Sequence, residues 1–105
     1  MIYWEAFIQM KTRTIKYTAK FKRDYHREKK SGRHRDRLDE TLLFIVKFLV
    51  TDRLLASRYH DHPLAGEWKD NRNCHIRLDL ILIYRKPDDE TLELVRLGSH
   101  SQLSL

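Results

Sequence analysis

The sequence is short of the residues that staple, break or anchor a chain. Its one cysteine, Cys74, excludes a disulfide framework and a cysteine-rich zinc site within one chain. Three glycines and two prolines leave no room for a Gly/Pro linker. With no repeat or low-complexity tract either, the 105 residues read as one domain. No stretch approaches the roughly 18 consecutive apolar residues that a membrane span needs. The opening MIYWEAFIQ has no basic n-region and carries Glu5, unlike a secretory signal. No membrane partner is therefore expected, and a cytoplasmic location follows by elimination. Regular patterning starts just after Met10, so the domain is expected over 10–105. Residues 1–9 then read as an extension of doubtful origin, with Met10 as the natural start.

Charge is plentiful and uneven. Twenty-one Lys and Arg against fifteen Asp and Glu give a net charge of +6. Residues 11–37 alone carry twelve of the bases (among them Lys22, Arg23, Arg27 and Arg33) and three acids, Asp24, Glu28 and Asp36. A contiguous block of this kind suits a polyanion or an acidic protein partner, or else forms a solvated helix face. Apolar residues, 41% of the chain, suffice for a folded core.

Residues 13–17 alternate as a short strand does. Thr18 is placed to cap a helix over about 19–31, with Phe21 and Tyr25 on its buried side and Gly32 as a left-handed C-terminal residue. Asp36 is placed to cap a second helix, in which Leu38, Leu42, Ile45, Val46 and Leu49 form one apolar stripe that fades near Thr51 or Asp52. Residues 53–67 read as an ordered connection broken by Pro63 and Gly66, and 68–77 as a strand. Residues 80–86 are a continuous apolar run, as expected of a central strand covered on both faces. A turn at Pro87–Glu90 leads to a last strand over 91–98. The pattern predicts an α+β domain of order β-α-α-β-β-β. Its antiparallel sheet of about four strands carries the first strand at an edge and both N-terminal helices on one face.

The C-terminal half holds His60, His62, His75 and His100 on or beside the strands. Histidine titrates near neutrality, so it can accept a proton in one step and return it in the next. RNA can be cut by this chemistry without metal. A base deprotonates the 2′-hydroxyl, which attacks the adjacent phosphorus, and an acid protonates the departing 5′-oxygen while cations steady the added charge. Strand parity puts Asn73 and His75 on one face and Cys74 on the other, which makes Cys74 a core residue. Asp79 lies at the turn between the strands, either as a simple turn former or with its carboxylate turned towards His75. His60-Asp61-His62 invites a metal reading, but a two-residue histidine spacing in a loop is weak support for one, and no metal or other cofactor is expected.

These residues also match a family. DHPLAGEWKDNRNCHIRLDLILIY (61–84), followed by RLGSHSQL (96–103), resembles the YafQ type of RelE/ParE toxins, in the same order and with the same gaps. The likeness reaches back to IKYTAKFKRDY (15–25). It implies a RelE-like, microbial ribonuclease-like fold and a type II toxin neutralised by a cognate antitoxin, in a complex of higher order. It also implies ribosome-dependent, metal-independent cleavage of messenger RNA in the A site. Carried over by position, the family's histidines fall on His62, His75 and His100, and its acidic turn position on Asp79. His100 is then the main proton-transfer group, with His62, His75 and Asp79 sharing base, acid and orienting roles. Arg72, Arg96 and Lys69 are candidate phosphate contacts, with ordinary sheet-face packing and ion pairing as the alternative for the two arginines. Lys22, Arg23 and Arg27 are candidates for ribosomal RNA or for an acidic antitoxin segment competing for the same charge.

Three positions depart from the family pattern. Asn73 stands where relatives commonly have Asp, and an amide cannot accept a proton at neutral pH. Leu80 replaces a turn aromatic that would stack on a base, and Leu103-Ser104-Leu105 replaces a C-terminal aromatic. These departures motivate an alternative in which the fold binds ribosome and antitoxin without cutting. A ParE-like gyrase poison is a further alternative, one that the histidine set disfavours.

Overall fold

The computed structural model describes residues 12–105, so the expected extension and the Met10 start lie outside the described residues. Strand β1 (Thr14–Tyr17) leads into helices α1 (Ala19–Ser31) and α2 (Leu38–Val50). A connection with two 3-10 turns, Ser57–Tyr59 and Gly66–Trp68, flanks the two-residue strand β2 (His62–Pro63). Strands β3 (Arg72–Arg77), β4 (Leu80–Arg85) and β5 (Thr91–Gly98) follow, and the short helix α3 (His100–Leu103) comes last. The sheet runs β1-β5-β4-β3-β2, with β1 parallel to β5 and every other pair antiparallel. The expected edge position of β1 and the β3–β5 meander are both present, and β2 adds a short fifth strand.

Both helices cover one face. Phe21 of α1 and Leu38, Ile45, Val46 and Leu49 of α2 join Cys74, Leu82, Tyr84, Leu92 and Leu97 in the main core. Ile81 and Ile83 face the other way, under Leu103 of α3 and beside Leu64, Trp68 and Val95. β4 is thus covered on both faces, which is why its sequence is apolar without alternation. Cys74 is fully buried in the helical-side core, and burial pushes its thiol up to about 12, so it is no nucleophile.

Local chemistry explains where the elements start and stop. Thr18 caps α1 as expected, its hydroxyl accepting from Phe21 N at 2.9 Å. Gly32 is extended at φ −70° rather than left-handed, so its role is a close approach. A Cβ there would stand 2.6 Å from the Glu28 carbonyl oxygen. Gly32→Ala is therefore expected to cost about 1–3 kcal/mol through that overlap, read from the urea midpoint. Asp36 does not cap α2. Arg37 precedes the helix in the left-handed region at φ 64° with no side-chain cap, and its carbonyl takes the Thr41 amide at 3.1 Å. Asp39 and Glu40 supply the negative charge that suits the first turn.

The strand expected from residue 68 begins at Arg72 instead. Trp68 closes a 3-10 turn, Asp70 takes φ 73°, and the Asn71 amide bonds back to the Trp68 carbonyl at 2.9 Å. That reversal brings residues 62–63 alongside β3, with His62 opposite Asn73 and Pro63 opposite Arg72. Pro63 is tolerated within β2 because an edge strand can spare an N–H. Gly66 sits at φ 64° with nothing within 4 Å of where a Cβ would stand, so backbone conformation alone calls for glycine there.

Candidate acid–base site

The face opposite the two helices carries the histidines. In the β3–β4 ladder Asn73 pairs with Ile83 and His75 with Ile81, so both share the side that Ile81 and Ile83 take. His62 joins them through its pairing with Asn73. An irregularity between His75 and Arg77 precedes the two-residue connection Leu78–Asp79, where Asp79 is left-handed at φ 58°. That conformation turns its carboxylate onto the end of β5: Oδ1 lies 3.2 Å from the His100 amide and 3.1 Å from His100 Nδ1. A carboxylate only accepts, so this contact puts a proton on Nδ1 and leaves Nε2 for another partner. His100 itself is held by a Ser99–Gln102 capping box at the start of α3. The same two hydrogen bonds and the His100 charge hold the Asp79 carboxyl below the usual carboxylate range, with Arg33 adding to the effect.

His75 stands between two other imidazoles. Its ring centre is 5.2 Å from that of His100 on one side and 5.2 Å from that of His60 on the other. Burial and then the charges of His100, His60 and His62 pull its pKa below the ordinary 6.5. Crowded and half-buried, His75 has surroundings that favour its neutral form. His62 is exposed, with Nδ1 3.1 Å from the Pro63 carbonyl, so that its other ring nitrogen is left over. Asp79, His100 and His75, expected as site residues, therefore meet, and His62 lies close enough for its charge to be felt. His60 completes the row and was missed as a site residue. It closes the Ser57–Tyr59 turn in the left-handed region at φ 48°. Asp61 turns inward, accepting from Tyr84 Oη at 2.6 Å and Arg72 Nε at 3.3 Å, so His60-Asp61-His62 does not converge on one point. Among the described residues, no three His, Cys, Asp or Glu side chains are grouped to hold a metal ion.

The candidate cations divide. Arg72 is half exposed, its Nε shared between Asp61 and Tyr84. Lys69 is exposed after the Gly66–Trp68 turn. Arg96 and Arg27 are committed elsewhere. Arg96 Nε reaches Asp24 Oδ2 at 2.7 Å, and Arg27 Nη1 reaches Asp24 Oδ1 at 2.9 Å, while Arg27 also binds Glu28 and the Leu97 carbonyl. Asp24, 3% exposed, takes the Leu97 amide as well, so this network clamps α1 to β5. Lys22 and Arg23 are exposed on α1. Lys22 borders an apolar groove formed with Ile15, Tyr17, Phe21 and Leu43, on the helical side of the sheet. Asn73 is buried with its side-chain oxygen unpartnered.

Fold and site together define a class: a small α+β domain of the RelE/ParE kind, with a histidine–aspartate cluster on the sheet face opposite α1 and α2. Within it, the chain belongs to the YafQ family, bacterial toxins of type II toxin-antitoxin systems, whose sequence model matches residues 13–105. It is 37% identical over 92 residues to the mRNA interferase toxin YafQ of Escherichia coli strain K12, covering 87% of this chain and 95% of that protein. The E. coli DinJ–YafQ complex contains a chain 35% identical to it, with a TM-score of 0.74, over 87% of this chain and 97% of that one. A metal-bound toxin from Helicobacter pylori is 43% identical, with a TM-score of 0.75, over 87% and 98% of the two chains.

Proposed function

We propose that this toxin is an endoribonuclease that cuts messenger RNA in the ribosomal A site through 2′-hydroxyl attack. The observation that carries the reading is the row His60–His75–His100–Asp79 on the open face of the sheet. In this scheme His75, neutral at physiological pH, takes the 2′-hydroxyl proton. His100, oriented through Nδ1 by Asp79, gives a proton to the departing 5′-oxygen from Nε2. His62 and His60 stand by as cations near the phosphate when protonated. No side chain need change place between the two steps, because adjacent imidazoles serve adjacent oxygens. Asn73 accepts no proton, so the transfer falls to the histidines. The E. coli relatives' name, mRNA interferase toxin, supports the reaction class. The E. coli DinJ–YafQ complex supports a cognate antitoxin as partner of this chain. No described helix is long and apolar enough to cross a membrane. A toxin that acts on ribosomes works in the cytoplasm.

Primer extension on a defined message in a reconstituted translation reaction tests the reading. Codon-phased cuts that disappear with His100→Ala are expected. Inhibited translation without cuts would instead make the chain a binding module, with Asn73 as the first position to restore to Asp. The pH dependence carries a sign. A base must be deprotonated to work, and the His75 pKa is lowered, so the acid limb of kcat/KM is expected below the ordinary imidazole value of 6.5. His75→Ala should remove that limb, and an acid limb at or above 6.5 would assign the base elsewhere.

A further inference from the structure

Beyond Asp79 the histidine row opens into a second cleft. The end of α1, the loop after it and the residues around α3 enclose a cavity of about 240 Å3, lined by Ser31, Arg33, His34, Asp79, Ser99 and Gln102 among others. Its charges are mostly spoken for. Arg27 and Glu28, which also border it, pair with each other, and Asp79 holds His100. Arg33 is exposed and makes no hydrogen bond or ion pair with any described residue. Beside it, Nε2 of His34 is buried without a partner among the described residues. The cavity therefore offers one unpaired guanidinium and one unmet imidazole nitrogen, directly next to the residue that orients His100. The Arg33 charge acts on Asp79.

Building on the ribonuclease reading above, we propose that this cavity is a nucleotide subsite, in which Arg33 binds the RNA phosphate next to the scissile one and His34 with Ser99 meets the attached sugar or base. The strand then runs along the row from His60 past His75 and His100 and over Asp79 into the cleft. Cleavage occurs between the groups that move protons, and Arg33 fixes the register one linkage away. A guanidinium suits this place because its fork can hold two phosphate oxygens. The subsite supplies the substrate cation that Arg96 and Arg27, tied to Asp24, do not.

The test compares wild type with Arg33→Ala and Arg33→Lys on ribosomes programmed with a message that carries one neutral methylphosphonate linkage, placed in turn on either side of the cut. Loss of one charged contact is expected to lower kcat/KM roughly ten- to a hundredfold in Arg33→Ala, with partial recovery in Arg33→Lys. Neutralising the linkage that Arg33 holds should slow wild type by a like factor and leave Arg33→Ala unaffected, while the pH–rate profile stays where it is. Arg33 is exposed, so its replacement is expected to leave the urea midpoint unchanged, which separates loss of contact from unfolding. Wild-type rates in Arg33→Ala would overturn the subsite while leaving the nuclease reading intact. So would a loss that comes with a displaced pH profile and no linkage dependence, which would make Arg33 a positioning residue acting through Asp79. If wild type arrests translation without cutting, the nuclease reading fails separately. The same linkage scan is then read by retention of the protein on programmed ribosomes. A linkage that matters to wild type and not to Arg33→Ala still supports the contact, and indifference in both overturns it.

Discussion

Cleavage by His100→Ala is expected to fall about two to four orders of magnitude below wild type, in single-turnover assays on programmed ribosomes. His100 is the proposed acid, and its two nitrogens have separate duties. Nδ1 faces the Asp79 carboxylate at 3.1 Å, and Nε2 is the one left for the leaving oxygen. The side chain is half exposed, so removing it should change the urea midpoint little, by no more than about 0.5 kcal/mol. A large loss of rate in a normally stable protein is the signature expected of a proton-transfer group. Asp79→Asn should fall less, since the amide oxygen still accepts from Nδ1 but carries no charge. In the double variant the second change should add almost nothing, because Asp79 acts through His100. A double variant far slower than His100→Ala alone would give Asp79 a role of its own in the reaction. Activity of His100→Ala within tenfold of wild type would move the acid to His62 or His60.

Asp24→Ala is expected to cost about 3–5 kcal/mol, a large part of the 5–15 kcal/mol that holds a domain together. The carboxylate accepts from Arg96, Arg27 and the Leu97 amide, and its removal strands the Arg96 guanidinium and a buried N–H and takes one of Arg27's partners. Burial by itself pushes the Asp24 carboxyl up. The hydrogen bonds from Arg96, Leu97 and Arg27, together with the Arg96 charge, outweigh it and hold the group below its ordinary value. A carboxyl depressed on folding adds stability that is complete above its unfolded pKa and is lost as pH falls through the folded one. Urea midpoints of wild type should therefore drop on the acid side of about pH 4, and those of Asp24→Ala should drop less there. Equal acid sensitivity in the two proteins would place the titrating group elsewhere.

How far the sequence could be read depended on the range of the interaction. The apolar stripe of α2, the Thr18 cap and the two-sided burial of β4 are written in neighbouring residues, and all three are present. Asp36 failed as a cap, and Gly32 ends α1 as expected but not in the left-handed region, because the loop between the helices is set by contacts: Arg37 turns left-handed, and Gly32 is squeezed against Glu28. The reversal at Asp70 that starts β3 late depends on a left-handed residue that is not glycine, for which composition gives no sign. Strand parity put Asn73 and His75 together and Cys74 in the core, while the family likeness supplied His62, His100 and Asp79. His60 was visible among the C-terminal histidines and in His60-Asp61-His62, but nothing in the sequence set it beside His75. Its position depends on a 3-10 turn that places it beside β3. Arg96 could not be recognised as a clamp because its partner Asp24 lies 72 positions earlier.

The sheet order has a bearing on how the toxin is made. β5 comes last among the strands but lies between β1 and β4. The Thr18 hydroxyl, at the end of β1, finds its acceptor on Val95, 77 positions later. A nascent chain that has not yet delivered residues 91–98 can form its helices and the β3–β4 hairpin, but β1 has no neighbour to pair with. Nor does it yet carry the histidine that Asp79 orients. The sheet, and with it the Asp79–His100 contact, is therefore complete only when β5 enters the middle of the sheet.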